Sequence, residues 1–411
     1  MLKDKKTESL SIFFIVEFIL CFLMVFGVLW NKPDIASNAF LVSFVTLVVE
    51  FVIVSFQIKE LKMFWLVMLI IAVSAVGVIM SFYRNNAEFE FDKFKEYFIF
   101  LSAIIFMFVC CHIKTDKRTV NFILKFNIVI ACLYIAAYRY APRVNNSSVG
   151  IDFNFGNPNF AGMWILQSLI YCTIAVVVYK KVLMKIIAGI PLVMLIYYLH
   201  QTGARNCELA YLIFLAVCIL FMTGKSKSFP KPVMVFINVL PIVFVPLYLK
   251  FIDPIVKTGW LDFIVSEGKS LNSRVKVWNH FFEKLGSHWL EGEYLTCLGN
   301  SHNSHMVVLC SYGAVTLLLV ILFTYLVSVK ASENNTDKRN GYCLAGFFAT
   351  LFMGFGEGAL FAGGIGLYIM GCSFIYLARY DFSDFDAIDG KENDIVHKRF
   401  LDFGLKTKRG I

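Results

Sequence analysis

Charge is scarce in this chain. Asp, Glu, Lys and Arg make up only 16% of its 411 residues, 58% are hydrophobic, and the mean hydropathy is +0.70. A soluble domain carries about 25% charged and about 45–50% apolar residues, so little sequence is left for a soluble domain. A disulfide framework is also lacking. Most of the 11 cysteines lie inside apolar runs, and only Cys297 stands in a long loop. The first apolar run is too long for a signal-peptide core and has no small-residue cleavage site, so it reads as a retained helix. There is no phosphate-cradling Gly-rich loop, no strong zinc spacing and no repeat of the kind that marks an inverted-repeat transporter.

What is present is a series of apolar blocks near the length that crosses a hydrocarbon core of about 30 Å. They predict an all-α integral membrane protein of about twelve transmembrane helices, at 10–30, 39–56, 63–82, 97–113, 119–140, 159–179, 182–200, 205–222, 233–251, 304–329, 342–356 and 360–378. The net charge of +9 follows from basic residues collecting in cytoplasmic segments and does not call for nucleic acid. With the N-terminus inside, well over half of the 38 Lys and Arg fall on the cytoplasmic side, including the basic tail 379–411, and both termini are expected there. The chain is then one polytopic domain, 1–411, with one large extracytoplasmic loop at 252–303. Its aromatic and apolar content argues against disorder and for function.

Candidate residues gather on that outer side. "NSRVKVWNHFFEKLG" predicts an amphipathic helix capped by Asn272 or Ser273 and stopped by Gly286, with Arg274, Val277, Trp278, Phe281, Phe282 and Leu285 on one face. Such a face suits the membrane surface, and an arginine at the helix start suits a phosphate; the alternative for Arg274 is snorkelling to headgroups. Arg205 opens a span in "TGARNCELAY" and is read either as a functional cation or as a structural partner of Glu208 three residues on. Arg84 ends the third span and reads first as an anchor. In "FGNPNFAGMW", Asn157-Pro158 signals a turn and Asn159 is taken as the helix cap. Glu357, among the glycines of "GFGEGALFAGG", is suited to orient an arginine, to bind sugar hydroxyls or to sit in headgroup water.

"SHNSH", residues 301–305, stands where the loop meets the tenth span. Three readings compete: a metal site completed by His288, Glu291, Glu293 or Cys297; a helix cap from Ser301 or Asn303; and a general base. His305 lies one turn beyond His302 and is expected to face another span or the headgroups.

In combination, "GNPNFAG" (156–162), "TGAR" (202–205), "SRVKVW" (273–278) and "SHNSHMVVLCSYGAVTLLL" (301–319) resemble, in order and topology, the O-antigen polymerase and O-antigen ligase family of bacterial surface-polysaccharide enzymes. The resemblance runs over roughly 150–370; the first 140 residues match only as hydrophobic spans. His305 departs from the family pattern, which has an apolar or aromatic residue there, and no extended ligase-type domain is present, so polymerase and ligase roles stay unseparated.

The resemblance implies a GT-C-like fold in the inner membrane of a bacterium. It implies a metal-independent glycosyltransferase that polymerises undecaprenyl-diphosphate-linked repeat units into O-antigen or capsule, without a cofactor. Arg205 and Arg274 would then bind the diphosphate and His302 would be the base, with Asn159, Asn303, Glu357 and Arg84 as further substrate-binding candidates. The greasy loop helix would hold the prenyl chain, and a chain-length regulator is an expected partner. Alternatives are an O-antigen ligase, a protein O-oligosaccharyltransferase and, from another class, a polysaccharide flippase.

Overall fold

The long apolar blocks fold into helices because a backbone in lipid must satisfy its polar groups within one segment. A computed structural model describes residues 2–58, 61–141, 146–147, 150–224, 229–257, 272–297, 302–333, 337–362, 366–383 and 385. Its helices are α1 (Leu2–Leu29), α2 (Pro33–Ser55), α3 (Leu61–Arg84), α4 (Phe91–His112), α5 (Lys117–Tyr140), α6 (Pro158–Val178), α7 (Val182–Thr202), α8 (Arg205–Thr223), α9 (Lys231–Leu247), α10 (Asp253–Lys257), α11 (Asn272–Leu285), α12 (Ser304–Ala331), α13 (Lys338–Met353), α14 (Ala359–Ala362) and α15 (Leu367–Ala378). A π-helical stretch, Tyr248–Ile252, joins α9 to α10, and Asn146–Ser147 pairs with Gly150–Ile151 in a two-stranded antiparallel ribbon.

Ten of these helices, α1 to α9 and α12, are long and apolar enough to cross a bilayer. The protein is a multi-pass integral membrane protein. Among the ten, α4 and α6 are the most enclosed, with 78% and 83% of their apolar windows buried, against 28% for α7, α8 and α9. The interior is therefore built from α4, α6 and the wholly buried α15. The outward stripe of α7, with Leu183, Ile186, Ile190 and Val193 exposed, is left for lipid.

The two spans expected at 342–356 and 360–378 are corrected. Their sequence forms α13, of 16 residues, then the short α14 and the 12-residue α15. Glycines at 354, 356, 358 and 366 stand where the helical run is interrupted, and an apolar window does not fix where such helices end.

Polar ties fasten both ends of the bundle. At one end Arg379 donates to the Cys110 and Ile113 carbonyls, and Asn340 to those of Ala378 and Tyr380. At the other end Asn154 donates to the Leu29 carbonyl and Asn206 to that of Met353. The candidate residues belong to the second end.

α12 is broken where Gly313 takes φ 85°. The loop segment after α11 fills the break: Glu293 N–H donates to the Cys310 carbonyl at 2.7 Å, and Ala314 N–H to the Trp289 carbonyl at 2.7 Å. Backbone groups freed by the kink are thus satisfied by a neighbour rather than left bare. The crossing is tight. A Cβ on Gly313 would overlap the Leu290 carbonyl, and one on Gly77 of α3 would overlap the Glu291 carbonyl.

Candidate functional site

The interrupted stretch after α13 carries Glu357, whose side chain has no exposed surface. Its Oε1 accepts from Arg274 Nη2 at 3.2 Å, and its Oε2 lies 3.2 Å from His302 Nδ1. One buried carboxylate therefore bridges the loop helix α11 and the "SHNSH" element. Of the roles considered for Glu357, the structure places it beside an arginine and away from headgroup water. A neutral His302 that donates its Nδ1 proton to Glu357 carries its lone pair on Nε2.

The short polar run holds the bridge in place. Asn303 is the N-cap of α12: its Oδ1 accepts from the His305 and Met306 amides. Its Nδ2 donates to the Pro241 and Phe355 carbonyls. Ser304 Oγ donates to the Glu357 carbonyl at 3.1 Å and Ser304 N–H to the Gly354 carbonyl at 2.8 Å. Asn303 is thus used by the fold. Ser301, the other cap considered, lies outside the described residues. His302 itself sits at φ 53°, in the left-handed region that few non-glycine residues occupy.

α11 forms over the expected residues, but its apolar face does not lie on the membrane surface. Val275, Trp278, Phe281 and Leu285 are buried, and the Trp278 ring meets Tyr248 and Phe244 edge-on. The buried face shares Trp278, Phe281 and Leu285 with the expected one, takes in Val275, and is packed into the protein rather than left open for a prenyl chain. Amphipathicity identifies a buried side but not what buries it. The packing fixes Arg274 beside the glycine-rich segment: a Cβ on Gly356 would lie 2.8 Å from Arg274 Nη1 and 3.0 Å from the Asn206 side chain.

Asn206 brings the turn before α8 to the same place, because its Nδ2 donates to the Met353 carbonyl at 2.7 Å. Sequence reading passed over Asn206 and Ser304, although both are polar residues at the mouth of an apolar run. Arg205, next to Asn206, is exposed and makes no side-chain ion pair among the described residues. Glu208 pairs instead with His200 at 3.0 Å, so the Arg205–Glu208 pair is not formed. The cap of α6 is Asn157, which accepts from the Asn159 amide, and Asn159 stands inside the helix. Gly162 lets α6 approach this turn, since a Cβ there would overlap that of Ala204.

Arg84, read from the sequence as an anchor, is engaged within the protein. Its guanidinium holds Glu291 at 3.0 Å, Glu293 at 2.5 Å and the Gly292 carbonyl at 2.7 Å. It clasps the loop to the end of α3, and its acids stand some two hundred residues later. The hydrogen bond with His288, aided by Arg84, holds the Glu291 carboxyl below the usual carboxylate range. Its stabilising share is therefore present above that range and lost as pH falls through the lowered value. Arg84→Ala is expected to cost near the low end of the ~3–5 kcal/mol typical of breaking a buried ion pair, because its side chain keeps 20% exposure. Limited proteolysis should then cut within 286–297 where the parent protein resists; unchanged resistance would count against the clasp.

His305 faces away from His302. It is buried, its Nε2 lies 3.1 Å from the Asn238 carbonyl, and its ring meets Phe361. The two histidines therefore do not converge on one ligand. Among the described residues no three His, Cys, Asp or Glu side chains are grouped to hold a metal ion, and all 11 cysteines are free. Two acids within spans also went unremarked in the sequence, Glu17 and Glu50, both with no exposure.

The site thus joins Arg274, Glu357 and His302, with the start of α8 at Arg205 and Asn206 alongside, at one end of a membrane bundle. No protein-family model matches the chain, and no curated protein shows significant similarity to it.

Proposed function

We propose that the protein is a glycosyltransferase that joins sugars from a prenyl-diphosphate-linked oligosaccharide, of the O-antigen polymerase type, at the outer face of a bacterial inner membrane. The observation that carries this reading is the Glu357 bridge between Arg274 and His302. In the transfer, the acceptor hydroxyl oxygen bonds to the donor's anomeric carbon while the bond from that carbon to the diphosphate oxygen breaks. The hydroxyl proton passes to His302 Nε2, and the electron pair leaves with the diphosphate. Glu357 keeps the imidazole in the accepting tautomer and stabilises the imidazolium, as a buried acid does for a general base. Arg274 meets the charge that grows on the leaving diphosphate in a water-poor site, where a fixed guanidinium counts most. Arg205, exposed on the neighbouring turn, is the second cation.

Arg205→Ala is expected to lose activity at unchanged membrane abundance, because no buried carboxylate is stranded: Glu208 keeps His200. Lower abundance repaired by Glu208→Gln would restore the structural reading.

The test of the function is cell-free transfer. Purified protein in lipid with a prenyl-diphosphate oligosaccharide, and no nucleotide, should give lengthened oligosaccharide and free prenyl diphosphate. Movement of the intact lipid-linked substrate across proteoliposomes without transfer would favour a flippase, a reading that draws on Glu17 and Glu50 inside the spans. Transfer only to a lipid A core or only to protein would favour ligase or oligosaccharyltransferase.

A further inference from the structure

Toward the opposite end of the bundle from Glu357, two carboxylates lie within membrane helices. Glu17 of α1 and Glu50 of α2 both have no exposed surface. Glu17 Oε2 accepts from Ser43 Oγ, and Ser43 Oγ lies 2.9 Å from the Tyr368 hydroxyl of α15. This short chain of hydroxyls ends on the carboxylate. Among the described residues Glu17 Oε1 has no partner, and neither oxygen of Glu50 has one. Glu50 stands two helical turns beyond Ser43, so both lie on the buried face of α2.

A structural reason for these acids is missing. An unpaired carboxylate cannot keep its charge in a low-dielectric interior, and no cation among the described residues is set against either acid. Arg379, the cation beyond Cys110, is held by the Cys110 and Ile113 carbonyls. Among the described residues the titratable groups that face the pair are Cys21 on α1, Cys110 on α4 and Tyr368 on α15, none of them basic. A leucine at position 50 would pack without leaving two oxygens bare. With no cationic partner among the described residues, a proton is the simplest means of neutralising each acid. The carboxylates sit two turns apart along the α1–α2 pair rather than around one point, and Glu17 already accepts from a hydroxyl. That arrangement suits separate protons better than one metal ion, which needs several oxygens converging on it.

We propose that Glu17 and Glu50 form an intramembrane proton site, each carboxyl taking up and releasing a proton within the bundle. The site shares no residue with the Arg274–Glu357–His302 centre, so it stands or falls separately from the transfer reaction.

The test uses the full chain in lipid nanodiscs and a hydrophobic carbodiimide, which reacts with protonated carboxyl groups inside membranes. Peptide mass spectrometry reads modification at each position. The expected result is labelling at both Glu17 and Glu50 that is lost as pH is raised and is unchanged by sodium at constant ionic strength. Glu17→Gln, which keeps the shape of the neutral acid, should shift the pH at which Glu50 labelling is half lost. Labelling at neither or only one position, or labelling that does not vary with pH, would overturn the proposal. Protection by sodium would overturn it in favour of a metal-ion site. Should Glu17→Gln fail to fold, the pH and sodium arms on the parent protein still decide.

Discussion

Alanine at His302 is expected to cut transfer ~10²–10⁴-fold, the usual share of a general base, while the protein remains in the membrane at its normal level. His302 is at the surface of the site, with 26% of its side chain exposed, and its loss leaves Glu357 still paired with Arg274. On a gel this would appear as single repeat units without a ladder. His305→Ala should fail in another way. That side chain is buried and bonded to Asn238, so its removal should act on abundance, within the ~2–5 kcal/mol range seen when buried side chains are emptied. Activity per folded molecule should be largely kept. A normal ladder from His302→Ala would reduce the residue to part of a helix cap. Equal catalytic loss from both replacements, with inhibition by a chelator and rescue by zinc, would revive the metal reading.

Arg274→Ala should be damaging twice over. It removes the cation proposed for the diphosphate, and it takes a partner from a carboxylate that has no exposure. Removing one member of a buried pair costs about 3–5 kcal/mol, so abundance as well as activity should fall. Adding Glu357→Gln to Arg274→Ala should restore abundance without restoring transfer. Arg274→Lys should be nearly as inactive as the alanine variant, since a point charge does not reproduce a planar fork reaching both a carboxylate and a phosphate. Transfer regained in the double variant, or a normal ladder from Arg274→Lys, would remove Arg274 from the reaction.

Much of the helical pattern was legible because the length and apolarity of a membrane span are properties of one segment. The extent of α11 was legible for a similar reason, with its periodicity and the stop at Gly286 both local. What failed depended on partners far along the chain. Arg84 looks like an anchor until Glu291 and Glu293 are folded against it. The Trp278 face looks lipid-facing until Tyr248 and Phe244 cover it. Glu357 and His302 could each be singled out as polar residues beside apolar runs, but their meeting, 55 residues apart, is a property of the fold. The helices on either side of Glu357 were read as longer than they are because hydropathy averages over the glycines at their ends. Glu17 and Glu50 were missed for the converse reason: a single acid hardly changes the average of "IVEFIL" or "VVEFVI".

The break at Gly313 has a bearing on how the molecule opens. Beyond it, Ala314 to Ala331 is about 27 Å of helix at the usual rise, close to the thickness of a hydrocarbon core, so the bilayer can be crossed without the residues before Gly313. Those earlier residues, Ser304 to Tyr312, are held by the 289–293 segment and by the Gly354–Glu357 backbone. The two halves of α12 should therefore unfold as separate cooperative units. Amide hydrogen exchange past Ala314 would follow the lipid environment. Exchange from Ser304 to Tyr312 would follow the integrity of the Glu357 bridge and would quicken in Arg84→Ala.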